Sequence, residues 1–152
     1  MPLRRLVRES AFKLARHDVA MFLEDHEEDL IRIFREEIKR LKAKGMKIIM
    51  EGRGLIASAA VPVFLMGDVR RCSKNTIFLI HPAAIFKWGI FTETLEDLES
   101  QSRMIRLLRE CYVGNVADRT SLSEEEIKDM MSKDTWFTAQ QAYEWGFVDE
   151  LI

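Results

Sequence analysis

Two short apolar runs constrain the fold of this chain more than any other feature of its sequence. They cover Met46–Met50 and Ile77–Ile80, and each is too short for a helix. The first follows Leu30–Leu41, where apolar residues recur every three to four positions, as in an amphipathic helix that Gly45 would end. Short apolar runs after a helix are typical of buried strands in a parallel sheet. The pattern therefore predicts an α/β domain.

The size and charge of the chain limit the classes of protein it can belong to. At 152 residues, a folded chain buries roughly 70% of the surface that its unfolded form exposes. We therefore expect one domain over residues 1–152, without disulfides or a structural metal. The formal net charge of −2 argues against a nucleic-acid-binding protein, which normally carries a strong basic excess. Cys72 and Cys111 lack a metal-binding spacing and fit a reducing, cytoplasmic compartment, and no apolar stretch reaches the ~20 residues of a transmembrane segment.

Most of the other segments predict helices. Basic and apolar residues alternate over Met1–Phe22, which predicts a helix with one solvated face or, as the alternative, a surface-seeking or targeting helix. Between the apolar runs, Gly52–Ala60 predicts a tight turn that leads from a strand into a buried helix. Ser123 and Thr138 each begin a capping box that opens a short helix, and Asp134–Phe137 falls in the connection between these two helices.

A helix of about 25 residues is predicted from Thr92 onward. Its apolar face consists of six residues at helical spacing: Leu95, Leu98, Ile105, Leu108, Tyr112 and Val116. At 1.5 Å per residue such a helix is roughly 37 Å long, which is more than a domain of this size needs. We therefore expect it to project from the domain or to pack against a second subunit.

Ser58 is the first candidate for chemistry, because it lies among alanines where a strand turns into a helix. Free N–H groups at a helix start stabilise the oxyanion that forms when a serine attacks a carbonyl. Small neighbours let a substrate approach the backbone closely. The same pattern is also typical of helix capping or close packing, so the local sequence leaves both interpretations open.

His81 is the candidate general base. It follows the second apolar run and precedes Pro82, at a strand end where α/β folds place their sites. An imidazole accepts a serine proton near neutral pH. Of the other histidines, His17 is predicted to face solvent on the N-terminal helix, and His26 lies in an acidic segment that is more typical of a solvated turn than of a metal site. A histidine hydrogen-bonded into the fold is the alternative for His81.

Three sequence blocks in this order resemble the Clp peptidase (ClpP) family, in particular its phage-type and prophage-type members linked to head maturation. The family's Gly-Leu-Ala-Ala-Ser-Ala-Ala segment corresponds to Gly54–Ala60, and its hydrophobic-Ile-His-Pro segment to Leu79–Pro82. The family's C-terminal end is similar to Thr120–Ile127 and Asp134–Glu150. The resemblance spans residues 46–152, about two thirds of the chain, and residues 1–45 form a divergent helical part.

The resemblance implies an α/β, ClpP/crotonase-like spiral of βαβ units in which the long helix is a protruding handle. It implies that Ser58 is the nucleophile, that His81 is the base and then the acid, and that Asp134 orients the imidazole, with Asp129 as a nearby alternative. The backbone N–H of Ala59 is the implied oxyanion donor. The implied substrate is a peptide or unfolded protein, in a homo-oligomeric ring or stacked rings, with an AAA+ unfoldase as a partner and no metal or organic cofactor.

The chain departs from the family pattern in three places. The family takes a second oxyanion donor from a Gly-Gly pair about thirty residues before the nucleophile, which here falls near Glu28-Asp29, with no glycine before Gly45. Pro62 removes one backbone N–H just after Ser58, which a helix tolerates only near its start. The family's first strands and axial loops are expected to be absent or replaced by the basic N-terminal helix.

Three functions compete on these grounds. The first is the ATP-independent peptidase core of a ClpP-type serine protease, which acts through an acyl-enzyme on Ser58 inside a homo-oligomeric chamber. The second is a catalytically silent ClpP-like subunit or scaffold whose oxyanion loop is defective. Binding of an acyl-CoA on the same fold ranks last, because it does not use His81 and Asp134 together. We expect the peptidase.

Overall fold

The computed structural model describes residues 27–83 and 92–152. The helix predicted over Met1–Phe22, and the predictions for His17 and His26, lie outside the described residues. In chain order the described residues form helix α1 (Glu27–Ala43), strands β1 (Ile49–Gly52) and β2 (Leu55–Ala57), helix α2 (Ala60–Phe64), strands β3 (Val69–Cys72) and β4 (Ile77–Ile80), helices α3 (Leu95–Ala117) and α4 (Glu124–Met130), strand β5 (Thr135–Thr138), helix α5 (Ala139–Glu144) and strand β6 (Glu150–Leu151).

The strands form two small sheets that the chain enters alternately. One sheet has the order β1-β3-β6 and the other β2-β4-β5. A first pass contributes β1 and β2, and after α2 a second pass contributes β3 and β4, each in parallel with its counterpart from the first. Successive passes stacked in this way form a spiral, which confirms the fold class that the resemblance implies. β5 closes the second sheet antiparallel to β4.

The change from one sheet to the other occurs at two glycines. Gly54 has a φ of 82°, which a residue with a side chain rarely adopts. A Cβ on Gly52 would overlap the end of the Ile56 side chain, so a larger residue here would require Ile56 to shift. This turn sets the direction in which β2 runs toward Ser58.

Phe78 of β4 lies at the centre of an aromatic core. Its ring stacks on Phe137 of β5 with 5.2 Å between centroids and meets the edge of Phe64 of α2 at 5.9 Å. Phe147 lies 5.1 Å from Phe137. Phe78, Phe137 and Phe147 are at most 2% exposed, and complete burial of such a side chain stabilises the fold by about 1.5–3 kcal/mol. The core therefore fixes β5 against β4.

Three predicted helix boundaries are confirmed. α1 ends just before Gly45, whose φ of 74° is the left-handed conformation that stops many helices. The side chains of Ser123 and Thr138 accept hydrogen bonds from the backbone N–H groups of Glu126 and Gln141, so both capping boxes form and open α4 and α5.

The two apolar runs both become strands, but the first is shifted along the chain. The strand predicted over Met46–Met50 begins at Ile49. The preceding residue, Ile48, has both of its backbone groups hydrogen-bonded to Asp68. The carboxylate of Asp68 accepts from the N–H of Ile48 at 2.8 Å, and the backbone N–H of Asp68 donates to the Ile48 carbonyl at 2.8 Å. The run Ile77–Ile80 is β4, as predicted.

The prediction that Asp134–Phe137 is a plain connection is wrong. Thr135–Thr138 forms β5, in which Phe137 lies opposite Phe78. Phe137 is buried and Trp136 is exposed, as in a strand with one face on the core. Strands β2, β3 and β6 were not predicted either, because two to four residues are too few to show a period.

Helix α3 projects from the domain, as expected. It has 23 residues, a length of about 35 Å at 1.5 Å per residue, and of these only Val113 and Val116 are buried. Five large apolar side chains are 39–67% exposed: Leu95, Leu98, Met104, Leu107 and Leu108. Met104 and Leu107 lie outside the single apolar face that was predicted, so the uncovered apolar surface extends around the helix. None of the helices in residues 27–83 and 92–152 combines the length and apolarity needed to cross a membrane.

Arg70 and Asp149 join β3 to the segment that leads into β6. Arg70 donates from Nη2 to Oδ1 of Asp149 at 2.6 Å and from Nε to Oδ2 at 3.0 Å, and its backbone N–H donates to Oδ2 at 2.7 Å. The hydrogen bonds from the Arg70 side chain, and then that from its backbone, hold the pKa of Asp149 below its ordinary value of 3.8.

Asp149→Asn should destabilise the protein at neutral pH and have little effect in acid. A carboxyl pKa that is lowered by folding adds stability above the unfolded-state pKa of about 3.9, and this stability is lost as the pH falls through the folded-state pKa. We expect a loss of about 1 kcal/mol in the free energy of unfolding at pH 7, because solvent partly screens the pair. Urea unfolding at pH 7 and at pH 3 measures the difference.

Glu51→Gln is the matched control for this prediction. Glu51 pairs with Arg53 at 2.7 Å and Arg71 at 2.8 Å; both arginines are more exposed than Arg70, so its loss should cost less than that of Asp149. An Asp149→Asn effect of equal size at both pH values would contradict the assigned cause.

Candidate active site

Ser58 lies at a sharp turn between β2 and α2. Its φ of 53° is unusual for a residue with a side chain, and among residues 27–83 and 92–152 it is the one non-glycine residue with a positive φ. Its N–H donates to the Leu79 carbonyl at 3.0 Å and its carbonyl accepts from the N–H of Val61 at 3.1 Å, so hydrogen bonds hold the strained backbone on both sides. Strain of this kind concentrates at active sites. This strain was not predicted from the sequence, because residue types alone do not reveal the sign of φ at a serine.

His81 follows β4, the strand beside β2. In the parallel register Ala57 lies opposite Leu79, which brings Ser58 level with Ile80 and places His81 one residue beyond. Both candidate residues therefore leave the sheet at the carboxyl ends of neighbouring parallel strands, where α/β folds form sites. Both are half-buried.

Asp134 immediately precedes β5, on the other side of β4. The antiparallel register pairs Ile80 with Thr135, so the next positions outward on the two strands are His81 and Asp134. His81 thus lies between the strand that carries Ser58 and the strand that carries Asp134. Asp134 is exposed.

The three side chains are gathered at one sheet edge but are not joined by hydrogen bonds. Nδ1 of His81 lies 2.8 Å from the carbonyl oxygen of Pro82, and in the described ranges no hydrogen bond links Ser58, His81 and Asp134. A carbonyl can only accept, so a neutral His81 in this contact has its proton on Nδ1 and a free lone pair on Nε2. A serine base needs this tautomer, although here Pro82 and not a carboxylate orients it. The three catalytic roles stay predictions.

Asp129, the alternative carboxylate, lies on a different element. It belongs to α4, where its Oδ2 lies 3.9 Å from Nζ of Lys133, and its side chain is 74% exposed. Because it lies on a helix, the strand pairing that brings Ser58, His81 and Asp134 to one edge of the sheet does not include it. The backbone geometry therefore favours Asp134.

The start of α2 supplies backbone N–H groups beside Ser58. The N–H groups of Ala59 and Ala60 precede the first hydrogen bond of the turn, which Val61 donates to Ser58. α2 has only five residues, so these local N–H groups matter here more than the dipole of the helix. Pro62 is its third residue, where a missing N–H removes no intrahelical bond.

The position predicted for the second oxyanion turn is helical. Glu28-Asp29 lies in the first turn of α1, where φ is negative, so these residues do not form a glycine-type turn. α1 packs through Ile38, which is 6% exposed, and Arg35 donates from Nη2 to Oδ1 of Asn115 on α3 at 3.3 Å. In the described part of the chain, the candidate oxyanion site therefore relies on the N–H groups that begin α2.

Two aromatic residues beside the site were not singled out for function. Trp136 is 57% exposed and lies opposite Leu79 in the sheet, two residues from Asp134. The hydroxyl of Tyr112 lies 3.4 Å from the carbonyl oxygen of Ser58, whereas its helical spacing indicated only an apolar face. Across the described ranges, no three His, Cys, Asp or Glu side chains are grouped so that they could hold a metal ion.

Ser58→Gly should be at least as stable as Ser58→Ala. Glycine in place of alanine normally destabilises an ordered element by about 0.5–1 kcal/mol, but the left-handed conformation costs a residue with a Cβ roughly 1–2 kcal/mol. Differential scanning calorimetry compares the two variants, which both lack the hydroxyl. Ala57→Gly, in the regular strand β2, is the control and should lose stability. A Ser58→Ala protein that is the more stable by about 1 kcal/mol would contradict the strained turn.

Comparisons with known proteins point to one family. A family model described as Clp protease matches residues 28–152. The ATP-dependent Clp protease proteolytic subunit 2 of Treponema pallidum is 32% identical over 103 residues, which cover 66% of this chain and 50% of the relative. The proteolytic subunit of Paracoccus denitrificans is 30% identical over 103 residues, with the same two coverages. Subunit 3 of Rhizobium etli is 29% identical over 108 residues, which cover 70% of this chain and 54% of the relative.

The chain spans about half the length of the curated relatives it matches. The family match begins inside α1 and continues through the last residue, so it includes the turn at Ser58, the end of β4 and the start of β5. This chain belongs to the Clp protease family.

Proposed function

We propose that this chain forms the ATP-independent peptidase core of a ClpP-type serine protease and cleaves peptide bonds through an acyl-enzyme on Ser58. The observation that carries the proposal is the register of β2, β4 and β5, which brings Ser58, His81 and Asp134 to one edge with the histidine in the middle. The names of the relatives, which are proteolytic subunits, support it.

Acylation uses the turn at Ser58. Oγ of Ser58 attacks the scissile carbonyl while Nε2 of His81 takes its proton, and the N–H of Ala59 donates to the oxyanion. Collapse of the tetrahedral intermediate breaks the C–N bond as His81 returns the proton to the leaving amine. Water, activated by the same imidazole, then hydrolyses the ester and regenerates the serine.

In this mechanism the carboxylate of Asp134 replaces the carbonyl of Pro82 as the hydrogen-bond acceptor for Nδ1–H of His81. A carboxylate is a stronger partner than a neutral carbonyl for an N–H that becomes positively charged during catalysis. The tautomer does not change in the exchange, since both partners accept from Nδ1. A rotation of the His81 ring toward the start of β5 is therefore the step that completes the triad.

The oxyanion site limits the rate of the proposed enzyme. Loss of one of two oxyanion donors typically lowers turnover by 10²–10³, and the position expected for a second donor near Glu28 is helical. We therefore propose a slow peptidase for peptide or unfolded substrates. A silent subunit is the outcome that the labelling experiment below separates from it.

A fluorophosphonate probe should label Ser58, because the probe requires a serine activated by its base. Mass spectrometry locates the adduct. We expect no labelling in Ser58→Ala, and in Asp134→Asn a rate at least about 100-fold below that of the wild type, because the imidazole loses its orienting carboxylate. His81→Ala should also abolish the adduct.

Asp129→Asn is the matched control for the carboxylate and should label at the wild-type rate. If Asp129→Asn lost labelling while Asp134→Asn kept the wild-type rate, the orienting role would belong to Asp129. A wild-type protein that stays unlabelled, while an active serine peptidase is labelled in parallel, would favour the silent subunit.

Assembly is proposed to use α3. The exposed apolar side chains of this helix are too many for a free surface, and contact with further copies of the chain would cover them in a homo-oligomeric ring or stacked rings. Such a chamber would restrict access to the candidate site to peptides and unfolded chains, which an AAA+ unfoldase partner could supply.

Leu98→Asp and Leu108→Asp should each shift sedimentation velocity toward smaller species, because a charge inserted in an apolar contact is costly to desolvate. Arg103→Asp is the control: Arg103 is exposed on the same helix and is already charged, so its replacement changes the sign of a charge without putting a charge in place of an apolar side chain. An unchanged profile in both leucine variants would show that α3 is not the assembly surface.

A further inference from the structure

Tyr112 links the projecting helix to the turn at Ser58. It lies on α3 one residue before Val113, where the helix becomes buried, and its ring packs against the core. Its hydroxyl donates to the carbonyl oxygen of Ser58 at 3.4 Å, a long contact for a hydroxyl donor. The residue thus reaches the strained backbone of the candidate nucleophile.

The Ser58 carbonyl receives donors from two different elements. The N–H of Val61, in α2, donates to it at 3.1 Å, and Tyr112, in α3, approaches the same oxygen. The peptide unit between Ser58 and Ala59 is planar and trans, so its carbonyl and its N–H point in opposite directions. A group that fixes the Ser58 carbonyl therefore also fixes the direction of the Ala59 N–H.

The strain at Ser58 makes this support necessary. A φ of 53° at a serine is stable only where the surroundings hold it. Rotation of the peptide unit would turn the Ser58 carbonyl toward the position of the oxyanion and the Ala59 N–H away from it. A carbonyl oxygen at that position repels the developing negative charge that the N–H would stabilise.

We propose that Tyr112 is a positioning residue, whose hydroxyl holds the peptide unit between Ser58 and Ala59 in the orientation that presents the Ala59 N–H to the oxyanion. This role rests on the proposed function and extends it, since it assigns to the projecting helix a task in catalysis besides assembly.

Burial keeps the Tyr112 hydroxyl in its donor form. Removal from water raises the pKa of this phenol far above its ordinary value of 10.0. The group therefore stays protonated throughout the range in which a serine peptidase works, so it can donate to a carbonyl but cannot act as a base.

Tyr112→Phe tests the role, because it removes the hydroxyl and keeps the ring in the core. Tyr143→Phe is the control: it is the other of the two tyrosines, it lies on α5, and it is 49% exposed. In Tyr112→Phe we expect kcat for a chromogenic peptide to fall about tenfold with KM unchanged, since the interaction acts only when charge develops on the carbonyl. Tyr143→Phe should match the wild type in both.

Hydrogen exchange measured by mass spectrometry gives a second readout that needs no activity. The N–H groups of Ser58 and Val61 carry the hydrogen bonds of the turn, and their exchange should become several-fold faster in Tyr112→Phe only. Unchanged exchange and unchanged kcat, or a change in KM alone, would overturn the proposal. If exchange is faster in Tyr112→Phe but the fluorophosphonate does not label the wild-type protein, the peptidase is refuted and the backbone support by Tyr112 still stands.

Discussion

The parallel pairing of β2 with β4 is the constraint on which the candidate site depends. It sets Ala57 opposite Leu79, and the residues that follow these two strands inherit that alignment. The pairing is held by Ile56 and Phe78, which lie opposite each other with their side chains in the core. A slip of either strand by one residue would turn its own core side chain to the outer face, so burial of this pair fixes the register. The alignment of Ser58 and His81 is thus a consequence of core packing.

The backbone between the strand and the helix completes the geometry. Ser58 adopts a left-handed conformation that its residue type disfavours, and hydrogen bonds to Leu79 and from Val61 hold it there. A short helix begins two residues later and leaves the Ala59 N–H free of an intrahelical partner. The strain therefore serves to place a hydroxyl and an N–H side by side. Tyr112 adds to this turn a support that comes from a distant part of the chain.

Sequence patterns predicted the parts of the fold that are local and periodic. The apolar period of α1, the capping boxes at Ser123 and Thr138 and the apolar run of β4 each lie within one segment, so neighbouring residues carry the signal. The candidates Ser58 and His81 were found from residues and strand ends alone, and Asp134 from family resemblance. β5 was missed because Thr135–Thr138 becomes a strand only by pairing with β4, which is distant in sequence. The positive φ of Ser58 and the contact of Tyr112 also arise from tertiary packing, which no local pattern encodes.

The departure near Glu28-Asp29 separates this chain from the pattern that the resemblance implies. The sequence showed that no glycine lies there, and α1 explains what replaces the turn, since the helix already includes both residues. The proposed site has one candidate oxyanion donor, at Ala59, and a histidine whose Nδ1 contacts Pro82, so its parts are gathered but not joined. Substrate binding would have to turn His81 toward Asp134.

A crystal structure of the protein with a peptide boronate bound to Ser58 tests this account most directly. In this complex, Nδ1 of His81 should have left Pro82 and lie about 2.7–2.9 Å from a carboxylate oxygen of Asp134. A boronate oxygen should lie about 2.7–3.1 Å from the backbone nitrogen of Ala59. A complex in which His81 still rests on Pro82 and Asp134 points into solvent would contradict it.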